Sequence, residues 1–135
     1  MKNQEKILRE LGKLTEEQIT GFFSIALDEN NEALLKLAIL LGADVTARNN
    51  YAIQIVSANG YAEVVKHLIE AGVDVTANYN YAIQIASENG HAEVVKHLIE
   101  AGADVTASDN FAIQIASLYG YVEVVKLLEK AGARL

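Results

Sequence analysis

Three consecutive segments of this chain are close copies of one another, and each is thirty residues long. They span residues 43–72, 73–102 and 103–132, and every copy ends in a glycine. A fixed period of this length indicates a solenoid, in which each unit buries its apolar face only against its neighbours. The repeat therefore favours a binding surface over a catalytic centre.

Each copy contains two short helical patterns. In the first copy Asn50 is placed to cap a helix, because its side chain can accept hydrogen bonds from the free amides of the next turn. Gly60 ends that helix, and Gly72 ends a second one that starts with an acidic turn at Glu63. The second helix carries its apolar stripe at helical spacing on Val64, Val65, Leu68 and Ile69. The pattern predicts an all-α helical solenoid.

The register of the repeats continues toward the N-terminus and predicts a single domain over residues 1–135. Residues 1–12 are expected to form an N-terminal capping helix, and residues 13–42 a divergent repeat of the same kind. Thr15 and Gln18 have the spacing of a capping box at the start of that repeat's first helix. The domain is thus expected to hold four helix pairs, which exceeds the minimum of about three that such stacks need.

The two ends of the stack differ from its interior. The third copy is expected to act as the C-terminal cap, because Glu129 stands where the preceding copy has Ile99. In the divergent repeat, Leu37 and Leu40 occupy positions that are polar in the next copy. We expect a monomer in which the N-terminal helix covers these leucines, since monomers seldom expose contiguous apolar patches. The covering side chains would be Ile7, Leu8 and Leu11. The alternative is a homodimer formed through the two leucines.

Composition excludes several classes of function. The net charge is −7, and the lysines recur only once per copy, so the clustered basic residues of a nucleic-acid site are absent. No apolar stretch approaches the length of a membrane span. The chain has no cysteine, which excludes disulfides and thiolate metal sites. We expect a cytoplasmic protein that contacts neither nucleic acid nor membrane, and whose acidic surface favours partners with basic patches.

One run of residues resembles the ankyrin repeat. It is clearest from Ala86 to Lys96 and from Gly102 to Val105, and the resemblance covers residues 30–134 well and 13–29 weakly. The resemblance implies an ankyrin-like helical solenoid that acts as a non-catalytic protein–protein interaction module or scaffold. It also implies that a protein partner docks on the concave face of the stack.

Two features depart from the pattern of that family. Its usual unit has 33 residues, whereas these have thirty, and the missing residues fall after Asn50, Asn80 and Asn110. The projecting fingers between units should therefore be shortened to tight turns. The family's Thr-Pro-Leu-His start of the first helix is also replaced, by Tyr51-Ala52-Ile53-Gln54 and its copies. Shortened repeats of this kind are similar to those of giant DNA viruses.

No residue set predicts catalysis, a metal site or a cofactor. His67 and His97 are equivalent positions of neighbouring copies, and no acid or cysteine completes a zinc site around them. The recurring serine of the first helix has no histidine placed to activate it. Two polar ladders run through the copies, and we expect both to be structural, because buried polar side chains need partners that a regular stack supplies repeatedly. The ladders are Asn50, Asn80 and Asn110, and Gln54, Gln84 and Gln114.

The positions that differ between the near-identical copies are the candidate partner-binding residues. They fall in the turn before each first helix and in the last turn of that helix. In the resembled family these places line the concave face. Tyr79 and Tyr119 stand out, because exposed aromatic side chains are frequent binding anchors. The candidate residues are Arg48, Asn49, Ala58, Asn59, Asn78, Tyr79, Glu88, Asn89, Ser108, Asp109, Leu118 and Tyr119.

Three alternatives to this interpretation follow from the same residues. The variable positions can reflect neutral surface drift. The chain can be a structural protein that associates with itself through Leu37 and Leu40. The near-identity of the copies also fits an engineered or consensus scaffold without a natural partner, although the irregular first unit argues against a pure consensus.

Overall fold

The structure is a computed structural model that describes residues 6, 9, 10 and 12–135. These residues form eight helices and no strand, as the all-α prediction requires. The chain divides into two compact units, Met1–Asp44 and Val45–Leu135, which are described separately. The side chains predicted to cover Leu37 and Leu40 lie outside the described residues.

The first unit contains the helix pair α1 (Glu16–Asp28) and α2 (Glu32–Leu40). The predicted capping box is present at the start of α1. The Gln18 backbone N–H donates to Thr15 Oγ1 at 3.1 Å, and the Thr15 N–H donates to Gln18 Oε1 at 2.9 Å. Phe23 and Leu35 are buried between the helices, whereas Leu40 is 75% exposed within this structure.

The second unit contains three helix pairs. The first helices form one row, in which α3 packs against α5 and α5 against α7, and the second helices α4, α6 and α8 form another. Each first helix also packs against the second helix of its own pair. The pairs are α3 (Ala47–Asn59) with α4 (Ala62–Glu70), α5 (Ala77–Glu88) with α6 (Ala92–Glu100), and α7 (Ala107–Leu118) with α8 (Val122–Lys130).

The core of the second unit consists of the same side chains three times over. Ile53 and Leu68 are fully buried, and so are their equivalents in the next two repeats. Full burial of each such side chain contributes about 1.5–3 kcal/mol relative to exposure. Alanines at positions 52, 82 and 112 are also buried, which keeps neighbouring first helices close. Stability thus comes mainly from contacts between adjacent repeats.

The connections between repeats are left-handed turns. The residues just before Tyr51, namely Arg48, Asn49 and Asn50, have φ values of 57°, 56° and 59°, and the right-handed part of α3 begins after them. The equivalent residues 78–80 and 108–110 adopt the same conformation. This three-residue turn is the shortened connection that the thirty-residue period predicts. Three consecutive left-handed residues are costly, at about 1–2 kcal/mol each for most side chains and less for Asn and Asp.

The asparagine that ends each left-handed turn joins two repeats. Asn50 Oδ1 accepts a hydrogen bond from the backbone N–H of Asp74 at 2.9 Å, and Asn80 Oδ1 accepts one from Asp104 at 2.8 Å. Asn110 makes the same contact with the N–H of Arg134 at 3.1 Å. The prediction that these asparagines cap their own helices was wrong. Their position at φ near +60° turns the side chain toward the following repeat instead.

The aspartate reached by this bond organises the next turn. Asp74 Oδ1 accepts from the Thr76 hydroxyl at 2.6 Å and from the Thr76 N–H at 2.9 Å. Asp104 and Thr106 repeat the arrangement. These bonds favour the charged carboxylate, so first the hydroxyl and then the amide of the threonine lower the pKa of Asp74 and of Asp104.

Replacing Asn80 by alanine should lower the free energy of unfolding by about 1–3 kcal/mol. The lost hydrogen bond contributes roughly 0.5–1.5 kcal/mol, and alanine in the left-handed region adds about 1–2 kcal/mol. Urea denaturation measures the change. Asn80→Gly is the matched control, because glycine removes the acceptor but tolerates the positive φ, so it should cost less than alanine. Equal stability of all three chains would show that this contact does not join the repeats.

The aspartate–threonine contacts predict a specific pH dependence. Because the pKa of each aspartate is lower in the folded chain, its contribution is fully present above the usual aspartate pKa and is lost as pH falls through the folded-state value. The double change Thr76→Val and Thr106→Val removes the two hydroxyl donors. It should therefore destabilise the chain more at about pH 6 than at about pH 2.5, on either side of the usual carboxylate pKa. An equal loss in urea denaturation at both pH values would contradict this account.

Candidate functional site

The structure places the twelve candidate residues in two bands on the repeats. The turn band consists of the first two residues of each left-handed turn. The helix-end band lies where α3, α5 and α7 end. The turn band is Arg48, Asn49, Asn78, Tyr79, Ser108 and Asp109, and the helix-end band is Ala58, Asn59, Glu88, Asn89, Leu118 and Tyr119.

The turn band is exposed, and its most prominent side chain is Tyr79. Tyr79 is 85% exposed at φ 57°, whereas the equivalent residues of the neighbouring repeats are Asn49 and Asp109. Asparagine and aspartate tolerate the left-handed region better than tyrosine does. In the first turn, the Arg48 guanidinium lies 4.3 Å from the centroid of the Tyr51 ring, a cation–π contact inside one repeat. The band thus offers one aromatic side chain among polar ones.

Two turn-band side chains also bind the preceding repeat. Asn78 Nδ2 donates to Gln54 Oε1 at 3.3 Å, and Gln84 Nε2 donates to Ser108 Oγ at the same distance. The glutamines further bond the turn of their own repeat, as when Gln84 Nε2 donates to the Tyr79 carbonyl at 2.7 Å. The structural interpretation of the glutamine ladder is therefore confirmed. Asn78 and Ser108 vary in identity but share a packing role.

The helix-end band is partly structural as well. The Ala58 carbonyl at the end of α3 accepts from Asn89 Nδ2 at 2.9 Å, and His91 Nε2 lies 2.9 Å from the same oxygen. Because a carbonyl only accepts, His91 donates here and its Nε2 is not offered to a metal. Asn89 thus links two repeats, and it is not a side chain reserved for a partner.

A ring on each repeat covers a glycine of the repeat before it. A Cβ added to Gly60 would lie 2.6 Å from the His91 ring, and one added to Gly90 would lie 2.8 Å from the Tyr121 ring. We had included His91 and Tyr121 among the variable positions of the binding face, but they fill spaces that only glycine leaves. The sequence signal is a glycine followed one period later by a ring.

The third repeat carries most of the exposed apolar area in the helix-end band. Leu118 is 75% exposed and Tyr119 is 53% exposed. The Tyr119 and Tyr121 rings form an edge-to-face pair with centroids 5.9 Å apart. Val122 next to them is 62% exposed and was not among the predicted residues. Its signal was a departure from the alanine that both preceding repeats hold at that position.

The described residues offer no arrangement suited to catalysis or metal binding. They contain no cluster of three or more His, Asp or Glu side chains that could hold an ion. The recurring serine hydroxyls of Ser57 and Ser87 are buried and have no hydrogen-bond partner, so no base contacts them. Within the part of the chain that the structure describes, no helix has the length and apolar character needed to cross a bilayer.

Tandem helix pairs joined through their side chains define a helical-repeat module whose exposed turns and helix ends are free to contact other molecules. The family model for ankyrin repeats in three copies matches residues 22–109 and again residues 53–135. The chain belongs to the ankyrin repeat family. Ankyrin repeats generally serve as protein–protein interaction modules and are typically non-catalytic. A comparison with curated proteins gave no match.

The contact between glycine and ring predicts different costs at two equivalent glycines. Gly90→Ala should cost about 1–3 kcal/mol more than Gly120→Ala, because only the first forces a neighbouring ring to move. Both positions have φ of 76°, so the backbone strain of alanine is the same in each, and no atom lies within 4 Å of a Cβ added to Gly120. Thermal or urea melts of the two variants measure the difference. Equal costs would mean that the Tyr121 ring yields freely.

Proposed function

We propose that this chain is a non-catalytic interaction module that binds a protein partner on the face formed by the turn band and the helix-end band. This is the concave face in the ankyrin repeat family. The observation that carries the proposal is the exposure of Tyr79 in a left-handed turn. The tyrosine ring adds conformational cost there and covers little of its own chain, which is expected where the ring serves a partner.

Tyr79 and Tyr119 are the proposed anchors, with Leu118 beside Tyr119. A tyrosine brings a large apolar area and a hydroxyl that can still hydrogen-bond at the rim of an interface. Each of these residues lies on a repeat whose backbone is held by inter-repeat contacts. Binding therefore orders little chain, and less of the interaction free energy is lost to entropy.

The proposed partner has a basic contact surface. The chain carries a net charge of −7, and Asp109 and Glu88 are among the candidate contact residues. Complementary charge speeds encounter and disfavours partners of the wrong sign. We place the module inside the cell, where ankyrin repeat proteins often act.

A structural role by self-association is the second candidate. It is favoured by Leu40, which is 75% exposed in the first unit, and by the adjacent Leu37, which is half-buried. A stack that pairs through these leucines would act as an assembly component, and its partner-binding face would be secondary.

The proposal is tested by capturing partners from a lysate of the source cells and measuring the affinity of each for single variants. Tyr79→Asn and Tyr119→Asn should each weaken binding by about 1–2 kcal/mol or more, as loss of an interface anchor does. Both changes install the residue of an equivalent position, Asn49 or Asn89, so the fold should be retained. Titration calorimetry gives the affinities, and thermal melts verify the fold.

The matched controls lie on the second helices. Lys66→Ala and Lys96→Ala change the rims of two grooves on that side, one between α4 and α6 and the other between α6 and α8. They should leave the affinity unchanged. If the lysine variants lose binding and both tyrosine variants retain it, the partner uses the second-helix side and the proposed face is wrong.

A further inference from the structure

The last repeat of the second unit exposes a surface that its predecessors cover. Ser57 and Ser87 are buried, but the equivalent Ser117 is exposed. The same change occurs at Gly120, whose equivalents are half-buried. In the interior, the following repeat covers these positions. We call the surface formed by Ser117, Leu118, Tyr119, Gly120 and Val122 the end face.

The end face is more apolar than the interior surfaces it matches. Leu118 stands where the preceding repeat has Glu88, Tyr119 stands where it has Asn89, and Val122 is larger than the equivalent alanine. A terminal repeat that faces water is expected to become more polar at its outer face. Glu129 on α8 follows that expectation, but the end face changes in the opposite direction. Its apolar character therefore points to a surface that is covered.

The interior contacts show what kind of group covers it. In the two preceding repeats, a ring from the next repeat lies on the glycine, as His91 does on Gly60 and Tyr121 on Gly90. The corresponding space over Gly120 is open. Tyr119, beside Gly120, is a half-exposed ring. The end face thus carries both halves of the interior contact, a ring and a glycine that can receive one.

We propose that the end face pairs with the end face of a second copy of this chain about a two-fold axis. A two-fold interface uses the same patch twice, so a patch that holds both a ring and its receiving glycine is complementary to itself. Charge does not oppose the pairing strongly. Residues 103–135 carry four acidic and three basic side chains, although the whole chain has a net charge of −7.

The inference is independent of the proposed partner, since it needs no molecule other than the chain itself. Leu118 and Tyr119 belong to both surfaces, whereas Gly120 and Val122 belong to the end face alone and Tyr79 to the partner face alone. Pairing would hide Leu118 and Tyr119, so a protein partner and a second copy would compete for them.

Sedimentation velocity of the full chain tests the pairing at loading concentrations from about 5 to about 500 µM, which bracket the dissociation constants of weak interfaces. The wild-type mass should rise from 14.6 kDa toward twice that value. Gly120→Asn should raise the dissociation constant about tenfold or more. Asparagine tolerates the positive φ, and its Cβ meets no atom of the chain, so the monomer should fold normally.

A second variant rebuilds the end face as the preceding repeat has it. Leu118→Glu, Tyr119→Asn and Val122→Ala together install residues that already occupy these positions in residues 73–102, so the fold should tolerate them, and the chain should remain at 14.6 kDa. Leu40→Glu is the matched control, because Leu40 and Leu118 are each 75% exposed. It should leave the association intact.

Three results would overturn the inference. The first is a wild-type chain that stays monomeric over the whole concentration range. The second is association that persists in both end-face variants. The third is association that is lost on Leu40→Glu, which would place the interface in the first unit and support the structural role considered above.

Discussion

The hydrogen bond from each turn asparagine to the backbone of the following repeat is the contact on which the second unit depends. It requires a residue at φ near +60° whose side chain still carries an acceptor, and asparagine meets both requirements. Asn50, Asn80 and Asn110 therefore recur without change, and each holds the N–H of the residue two positions after the next repeat's glycine. The bond sets the spacing of the repeats at the same point where the chain is shortened.

The same turn explains why the neighbouring positions are free to vary. The third residue of the turn forms the inter-repeat bond, so the first two need only tolerate the left-handed backbone. Asn49, Tyr79 and Asp109 share one position and differ widely in chemistry, while the glutamine of each helix binds the backbone carbonyl there in all three repeats. A backbone contact places no demand on the side chain. The turn thus supplies variable side chains on a constant frame, which suits a module that is selected for different partners.

Sequence periodicity was sufficient to predict the fold but not the roles of individual polar residues. The thirty-residue period, the apolar positions such as Ile53 and Leu68, and the capping box at Thr15 all led to the observed helices, because each depends on local spacing. The role of Asn50 was misjudged, because its partner is 24 residues away and the left-handed backbone that directs it has no local signature. Asn78, Ser108 and Asn89 were taken for candidate contact residues for the same reason: variation in identity hid a shared contact with the preceding repeat.

The contact between ring and glycine gives the solenoid a direction, and this explains how one surface can serve two purposes. Every interior repeat offers a glycine toward its successor and a ring toward its predecessor, so only the last repeat keeps an uncovered glycine. A polar substitution near Gly120 would hide that asymmetry from other molecules, yet the residues found there are Leu118, Tyr119 and Val122. Tyr119 lies where the helix-end band and the end face meet. A change in one occupant of this corner therefore alters the apolar area available to the other, which couples self-association to partner binding without any movement of the repeats.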